Sequence, residues 1–332
     1  MGLRRTYRLW LSPYAWALAL RHCLYDKGIL GSRSFDVPVI CVGNITVGGT
    51  GKTPMTEFLV RRLLEHGKRP VVLSRGYGRK TGGFRFVQVD DSVDCTGDEP
   101  LQIKRRYPQA VVAVCEDRVE GMKRLLVSGT EDAWFILDDA FQHRRLRAGR
   151  NILMTDYRRP FMTDNLLPFG RLRDVPSAAC RADCVVYTHC PSSGDPLRGV
   201  PVLQKDLPVY PTYMEYSDPQ PFNDPLKRPE RGSPILLVTG IANALPLKEY
   251  LQTGYQVVCH LNFRDHHRFS QKELERIRTL LGQHPQWQLV TTAKDATRLR
   301  GSGIRGWIIP VGIRFFSEDN ANEFFHLVTG LR

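Results

Sequence analysis

A glycine-rich turn ending in Gly51-Lys52-Thr53 lies between an apolar run, residues 37–42, and a helix-like segment, residues 55–64. Strand, loop and helix in that order form the frame in which backbone N–H groups can surround a phosphate, and a parallel α/β sheet supplies that frame. Gly48, Gly49 and Gly51 let the backbone close around the anion, and Lys52 brings a cation to its oxygens. The whole cradle is read as Thr46, Val47, Gly48, Gly49, Thr50, Gly51, Lys52 and Thr53. Thr46 stands where the common pattern has its first glycine, so this is a variant phosphate loop. A plain glycine hairpin would account for the glycines but not for Lys52-Thr53 ahead of a helix.

A second apolar run, residues 133–137, ends abruptly in Asp138-Asp139. Strands that stop on aspartate are how nucleotide-binding sheets deliver carboxylate to Mg²⁺, with the phosphate-loop threonine as the other protein oxygen. In a doubly wound sheet both groups would meet beyond the carboxyl ends of the strands. Turn-forming aspartates at a strand end are the simpler alternative.

Further strand-like runs at 69–74, 110–114, 151–155 and 184–188 alternate with helical stretches, which predicts a parallel sheet of the phosphate-loop class. Residues 191–234 are rich in Pro, Asp and Gly, and the pattern restarts at 235–240, 256–260, 287–292 and 307–311. The expected organisation is an amino-terminal helix over 1–30, a P-loop NTPase-like domain over 31–205, a linker over 206–233, and a smaller Rossmann-like α/β domain over 234–332. At 332 residues the chain is long enough for two cores.

Forty-seven Lys and Arg against 34 Asp and Glu leave a net charge of +13, which favours anionic partners: nucleic acid, an anionic membrane surface or a phosphorylated small molecule. Residues 144–181 hold nine arginines and three aspartates. Guanidinium groups suit bidentate phosphate binding, although a solvated face explains most of such a run equally well. No nucleic-acid recognition module is present and aromatics do not interleave with the basic run, so no nucleic-acid partner is expected. The Asn-Lys-x-Asp signature of GTP specificity is also missing. Eight cysteines without Cys-x-x-Cys spacing read as reduced thiols rather than a disulfide framework.

The apolar segment over residues 9–20 is too short to span a bilayer, which takes about 20 residues. Ser12-Pro13 starts a helix and Gly28 stops it; Trp16 and Leu20 with Arg4, Arg5, Arg8, Arg21 and Lys27 make an interfacial anchor one reading. A helix packed on the protein's own core is the other.

With these pieces assembled, the chain resembles the tetraacyldisaccharide 4'-kinase (lipid A 4'-kinase) family. The resemblance rests on Val42-Gly43-Asn44 with residues 48–54, Ser74-Arg75-Gly76-Tyr77-Gly78, Gly97-Asp98-Glu99-Pro100, residues 138–143, residues 167–173, Asp265-His266-His267 and residues 291–295, in order along nearly the whole chain. It implies transfer of the ATP γ-phosphate to the 4'-hydroxyl of tetraacyldisaccharide 1-phosphate, at the cytoplasmic face of the inner membrane, with no obligate protein partner. Asp98 then matches the family's catalytic aspartate and His266 its histidine partner, with Lys52 also in the catalytic set. Thr53, Asp138, Asp139 and Gln142 match the Mg²⁺-proximal set. Arg75, Tyr77, Arg118, His143 and Arg171 match positions near the phosphates or the acceptor. Ala140 and Ala293 depart from the family, which carries Gly and Glu there; position 293 is left out of the expected site. On the residues alone, Asp98 reads as a turn aspartate, and Asp265-His266-His267 reads equally well as a metal-ligand fragment, although no further ligand spacing supports a site.

Overall fold

In the computed structural model, residues 13–200, 207–223 and 229–331 are described. The first helix, α1 (Pro13–Asp26), precedes β1 (Val39–Gly43), α2 (Lys52–Glu65), β2 (Pro70–Ser74) and β3 (Arg85–Phe86). Then come α3 (Val93–Thr96), α4 (Asp98–Arg106), β4 (Val111–Val114), α5 (Arg118–Val127), β5 (Trp134–Asp138), β6 (Arg150–Asp156) and β7 (Cys184–Thr188). Among the described residues one sheet has nine strands in the order β14-β8-β7-β6-β1-β5-β2-β4-β3, where β8 is Val209–Tyr216 and β14 is Val311–Phe315. Its central strands are parallel, and β1, β2 and β7 are buried at every position, as strands covered on both faces must be. Helices α1 and α5 pack on one face through Ala15, Leu18, Met122 and Leu125. The other face is covered by α2, α4 and the last helix, α9 (Glu318–Thr329), through Leu59, Leu63, Leu101, Phe324 and Phe325.

A second sheet, ordered β11-β10-β12-β13-β9, comprises β9 (Gln220–Phe222), β10 (Pro234–Thr239), β11 (Gln256–Asn262), β12 (Gln288–Thr292) and β13 (Gly306–Ile309). Between its strands run α6 (Leu245–Gln252), α7 (Gln271–Gln283) and α8 (Ala293–Leu299). These strands are parallel except β9, which closes the edge antiparallel to β13.

Two expectations about organisation need correction. The span 206–233, expected as linker, contains β8 and β9, so each sheet takes one strand from it. The segment 307–311, read as one strand, is split at Pro310: β13 stays in the small sheet, whereas β14 pairs antiparallel with β8 in the large one. Proline has no N–H for a ladder and breaks the strand, and α9 then packs on the large sheet's core. Residues 311–329 therefore belong structurally with the amino-terminal unit.

Candidate active site

The phosphate loop leaves β1 at Gly43, where an added Cβ would lie 2.6 Å from the Cβ of Phe141, so only glycine fits against the Asp139–Phe141 turn. Asn44 is fully buried; its amide nitrogen donates to Thr50 Oγ1 at 2.6 Å and, more weakly, to Thr46 Oγ1 at 3.4 Å. The loop is buttressed from outside by residues 171–173: Val47 N–H donates to Arg171 O at 2.8 Å and Arg173 N–H to Ile45 O at 2.9 Å. Gly51 takes a left-handed conformation, φ 77°, and α2 begins immediately after it with no side chain capping its first N–H groups. Those groups, together with the dipole of a 14-residue helix, face the loop opening and attract an anion.

Lys52 Nζ lies 3.8 Å from Asp139 Oδ1; burial pushes its ammonium toward neutrality while Asp139 favours the charge. Asp139 stands at φ 47° and is also held by Arg173, whose Nη1 reaches its Oδ2 at 3.2 Å and whose Nη2 reaches Asn44 Oδ1 at 2.6 Å. Burial opposes ionisation of Asp139, but Lys52 and Arg173 hold its carboxyl below the usual range. Asp138 is different. It is buried, accepts among the described residues only from the Thr56 and Ser74 hydroxyls at 3.2 and 3.3 Å, and is pushed up to about 6 by burial and by the charges of Asp139 and Glu99. A buried carboxylate without a cationic hydrogen-bond partner, hydrogen-bonded to Thr56 one helical turn along α2 from Thr53, is an oxygen donor that suits a hard cation.

Across the loop opening, Asp98 heads α4 after Gly97, which adopts φ 88°, and is buried. Its Oδ2 accepts from His266 Nδ1 at 2.8 Å, and Arg298 of α8 grips both oxygens, with Nε 3.0 Å from Oδ1. Burial works against its charge, yet the hydrogen bonds from His266 and Arg298 and the charges of Arg298 and Lys294 hold the carboxyl well below the usual range. His266 itself takes φ 58°, contacts Lys294 Nζ through Nε2 at 3.0 Å, and has the Tyr77 ring edge-on at 5.3 Å between centroids. Asp98, Glu99 and His266 offer ligand atoms within 4.8 Å of one another, but Lys294, 3.1 Å from Glu99, and Arg298 already supply the positive charge there. The neighbouring Glu99 also acts electrostatically on Lys52 and Asp138, so the Asp98 cluster lies within electrostatic reach of the phosphate loop.

The remaining predicted residues fall into three situations. Arg118 packs against Asp138 and His143 lies near Arg118: Arg118 Nη2 donates to Asp138 O at 3.4 Å, while Arg118 Nε and His143 Nδ1 are buried without a partner among the described residues. Burial and the Arg118 charge hold the His143 imidazole down at about 4, so it is neutral. Arg75, Tyr77 and Arg171 are exposed at the rim. The Gln142 side-chain amide donates to Asn44 O at 2.5 Å, and it therefore braces the loop rather than pointing at Thr53. Sequence reasoning missed Asn44, Arg173, Lys294 and Arg298. The first three lie inside motifs already singled out, so a demand for partners to the buried aspartates could have found them; Arg298 carried no signal.

Much of the arginine excess is consumed internally. Arg144 pairs with Asp26, Arg145 with Asp117, Arg158 with Asp156, Arg159 with Asp164, and Arg181 with Asp174.

A parallel sheet with an open helix N-terminus, a basic phosphate loop, a buried strand-end aspartate and a second carboxylate facing them defines a P-loop phosphotransferase. The family match to tetraacyldisaccharide-1-P 4'-kinase spans residues 8–329. The chain is 39% identical to the tetraacyldisaccharide 4'-kinase of Phocaeicola vulgatus, covering 93% of this chain and 91% of that one, and 38% identical to that of Bacteroides fragilis, covering 97% and 93%. The crystal structure of LpxK from Aquifex aeolicus in complex with ATP superposes with a TM-score of 0.72 at 28% identity, over 95% of this chain and 96% of that one. The chain belongs to the tetraacyldisaccharide 4'-kinase family, the ATP-dependent kinases of lipid A biosynthesis.

Proposed function

We propose that the chain phosphorylates the 4'-hydroxyl of tetraacyldisaccharide 1-phosphate from MgATP at the cytoplasmic surface of the inner membrane, with Asp98 as the base. The observation that carries this reading is the pairing, across one opening, of an uncapped phosphate-binding helix with a carboxylate that His266 and Arg298 hold ionised. Backbone N–H groups of residues 48–53 and Lys52 cradle the β- and γ-phosphates. The acceptor O–H loses its proton to Asp98 as its oxygen bonds to the γ-phosphorus, and the bond to the β,γ-bridging oxygen breaks to release ADP. Of the expected metal set, Thr53 and Asp138 offer hard oxygen donors free of cationic partners, whereas Asp139 is already neutralised by Lys52 and Arg173 and Gln142 is spent on Asn44. When bound there, Mg²⁺ would neutralise charge on the β and γ oxygens.

Helix α1 supports capture of an acylated substrate. One face, with Ala15 and Leu18, packs on the core, while Trp16 and Leu20 are exposed, and Ile29 and Leu30 continue the apolar surface beyond its end. No helix among the described residues is long and apolar enough to cross a membrane. An interfacial seat lets the acyl chains stay in the bilayer while the sugar reaches the loop. Residues 1–12, with their arginines, lie outside the described residues.

The test is incubation of purified protein with MgATP and tetraacyldisaccharide 1-phosphate in detergent, followed by mass spectrometry. A product heavier by one phosphoryl group, missing with the Lys52→Ala protein, is expected. ATP turnover that ignores the lipid, or responds to nucleic acid instead, would refute the assignment.

A further inference from the structure

Asp98 belongs to the large unit, but among the described residues every side chain that hydrogen-bonds its carboxylate comes from the small one. Arg298 places Nε 3.0 Å from Oδ1 and Nη2 against Oδ2, and His266 Nδ1 joins on Oδ2 at 2.8 Å. Arg298 is itself immobilised. Its side chain is 4% exposed, and Nη1 donates to Asp295 Oδ1 at 2.9 Å and to Gly240 O at 3.2 Å. Asp295 is fixed in turn by Gly240 N–H at 2.9 Å and Thr292 Oγ1 at 2.7 Å, and an added Cβ at Gly240 would press on Asp295 Oδ1 at 2.9 Å. A carboxylate has about four acceptor positions, two per oxygen. The arginine fork and the histidine fill both positions on Oδ2 and one on Oδ1, which leaves one position on Oδ1 for a further donor.

We infer that Arg298 is the positioning residue of the phosphoryl transfer, clamping Asp98 so that Oδ1 alone takes the acceptor's proton. This rests on Asp98 being the base. The fork does two things at once. It fixes the direction of the free lone pair, since a planar bidentate pair allows little rotation of either partner. It also stabilises the ionised form of Asp98 in a buried site, which holds protonation of the base to acid pH. The groups facing Asp98 are His266 and Asp265 from the loop before α7, Lys294, Asp295 and Arg298 of α8, and Glu99 of its own helix. Lys294 remains when Arg298 is removed, so the clamp and the bulk charge are separable. Since α8 is anchored to the small sheet, the clamp also makes the base's geometry depend on how the two units are seated, tied further by Arg268 to Asp94 at 2.9 Å and Arg105 Nη1 to Thr297 O at 3.4 Å.

The experiment compares kcat against pH for the wild type, Arg298→Met and Arg298→Lys, with ATP affinity measured in parallel. Loss of a guanidinium beside an aspartate raises its pKa by about 1–3 units, and an acid limb set by Asp98 should move to higher pH by at least about one unit in Arg298→Met. At neutral pH kcat should fall by roughly 10- to 100-fold, while the Kd for ATP stays within about twofold. Arg298→Lys keeps the charge but cannot reach both oxygens, so it should restore the limb more than it restores kcat. An acid limb and kcat equal to wild type in Arg298→Met would overturn the inference. If that variant does not hold its Tm, Arg298→Lys decides: kcat at or above about a third of wild type would overturn it, because a single ammonium cannot replace the fork. Asp98→Asn separates the two claims. Activity retained in Asp98→Asn removes the base itself, whereas collapse there with a wild-type Arg298→Met profile removes only the clamp.

Discussion

Gly43 is the point at which the phosphate-loop strand touches the strand-end aspartates, and Gly43→Ala measures how tightly the two are coupled. The new Cβ would meet Phe141 Cβ at 2.6 Å and Phe141 N at 2.8 Å, against ordinary contact at 3.4 Å or more. Phe141 is buried with its ring under Arg181, 4.5 Å from the guanidinium carbon, and its backbone is the contact. Neither partner is a flexible chain end. The turn must retreat by about 0.8 Å, and overpacking of this kind costs about 1–3 kcal/mol. For a chain of this size that is a drop in Tm of about 2–4 °C. Because the displaced turn carries Asp138 and Asp139, the catalytic loss should be larger in proportion, about 100-fold in kcat for a shift approaching 1 Å. Differential scanning calorimetry and steady-state kinetics on the same preparation read both. Gly149→Ala is the control: its Cβ would sit 3.5 Å from Val39 O, in ordinary contact, and both quantities should stay near wild type. A Gly43→Ala enzyme with kcat within twofold of wild type would refute the claim that this contact sets the position of the aspartates.

Asp138→Asn should abolish turnover yet raise Tm in metal-free buffer at pH 8. The folded-state pKa of Asp138, about 6, lies above its unfolded value, so its contribution falls as pH rises from about 4 to 6 and the full penalty persists above that; an unchanged or lower Tm at pH 8, or a gain at pH 8 that does not shrink toward pH 4, would contradict this. Asp98→Ala and His266→Ala should each lower kcat, by roughly 100-fold or more for Asp98, and the double variant should lose less than the product of the two, whereas strictly multiplicative losses would show independent roles. Trp16→Ser with Leu20→Ser should weaken binding to anionic vesicles while kcat on detergent-dispersed substrate holds; vesicle binding equal to wild type would remove the interfacial role of α1. Deletion of residues 1–27 should behave differently and lower activity in detergent as well, because Tyr14 donates to Arg173 O at 2.7 Å, Arg21 to Gln142 O at 2.6 Å and His22 contacts buried Asp174 at 2.5 Å. Full detergent activity in the truncated protein would show that these contacts do not shape the site.

The phosphate loop was legible in the sequence because its chemistry is local: consecutive backbone N–H groups, one lysine and one threonine are aligned by glycine conformations that neighbouring residues specify. The strand ending in Asp138 was legible for the same reason, an apolar run that stops on a carboxylate. Both follow from short-range rules, and so does the parallel α/β class. What tertiary structure decided was everything that depends on a partner distant in sequence. Pro211 and the surrounding prolines made 209–216 read as linker, but β7 pairs with its first half and β14 with its second, a rescue no local rule contains. The same holds at Pro310, where the chain changes sheets. Asp98 by itself was an aspartate after a glycine; it became a held, ionised carboxylate only because α8 brings Arg298 across 200 residues and the Asp265-His266-His267 loop turns His266 toward it. A buried charge can be kept only where a counter-charge meets it in space, and that meeting is a property of the packed fold rather than of either segment.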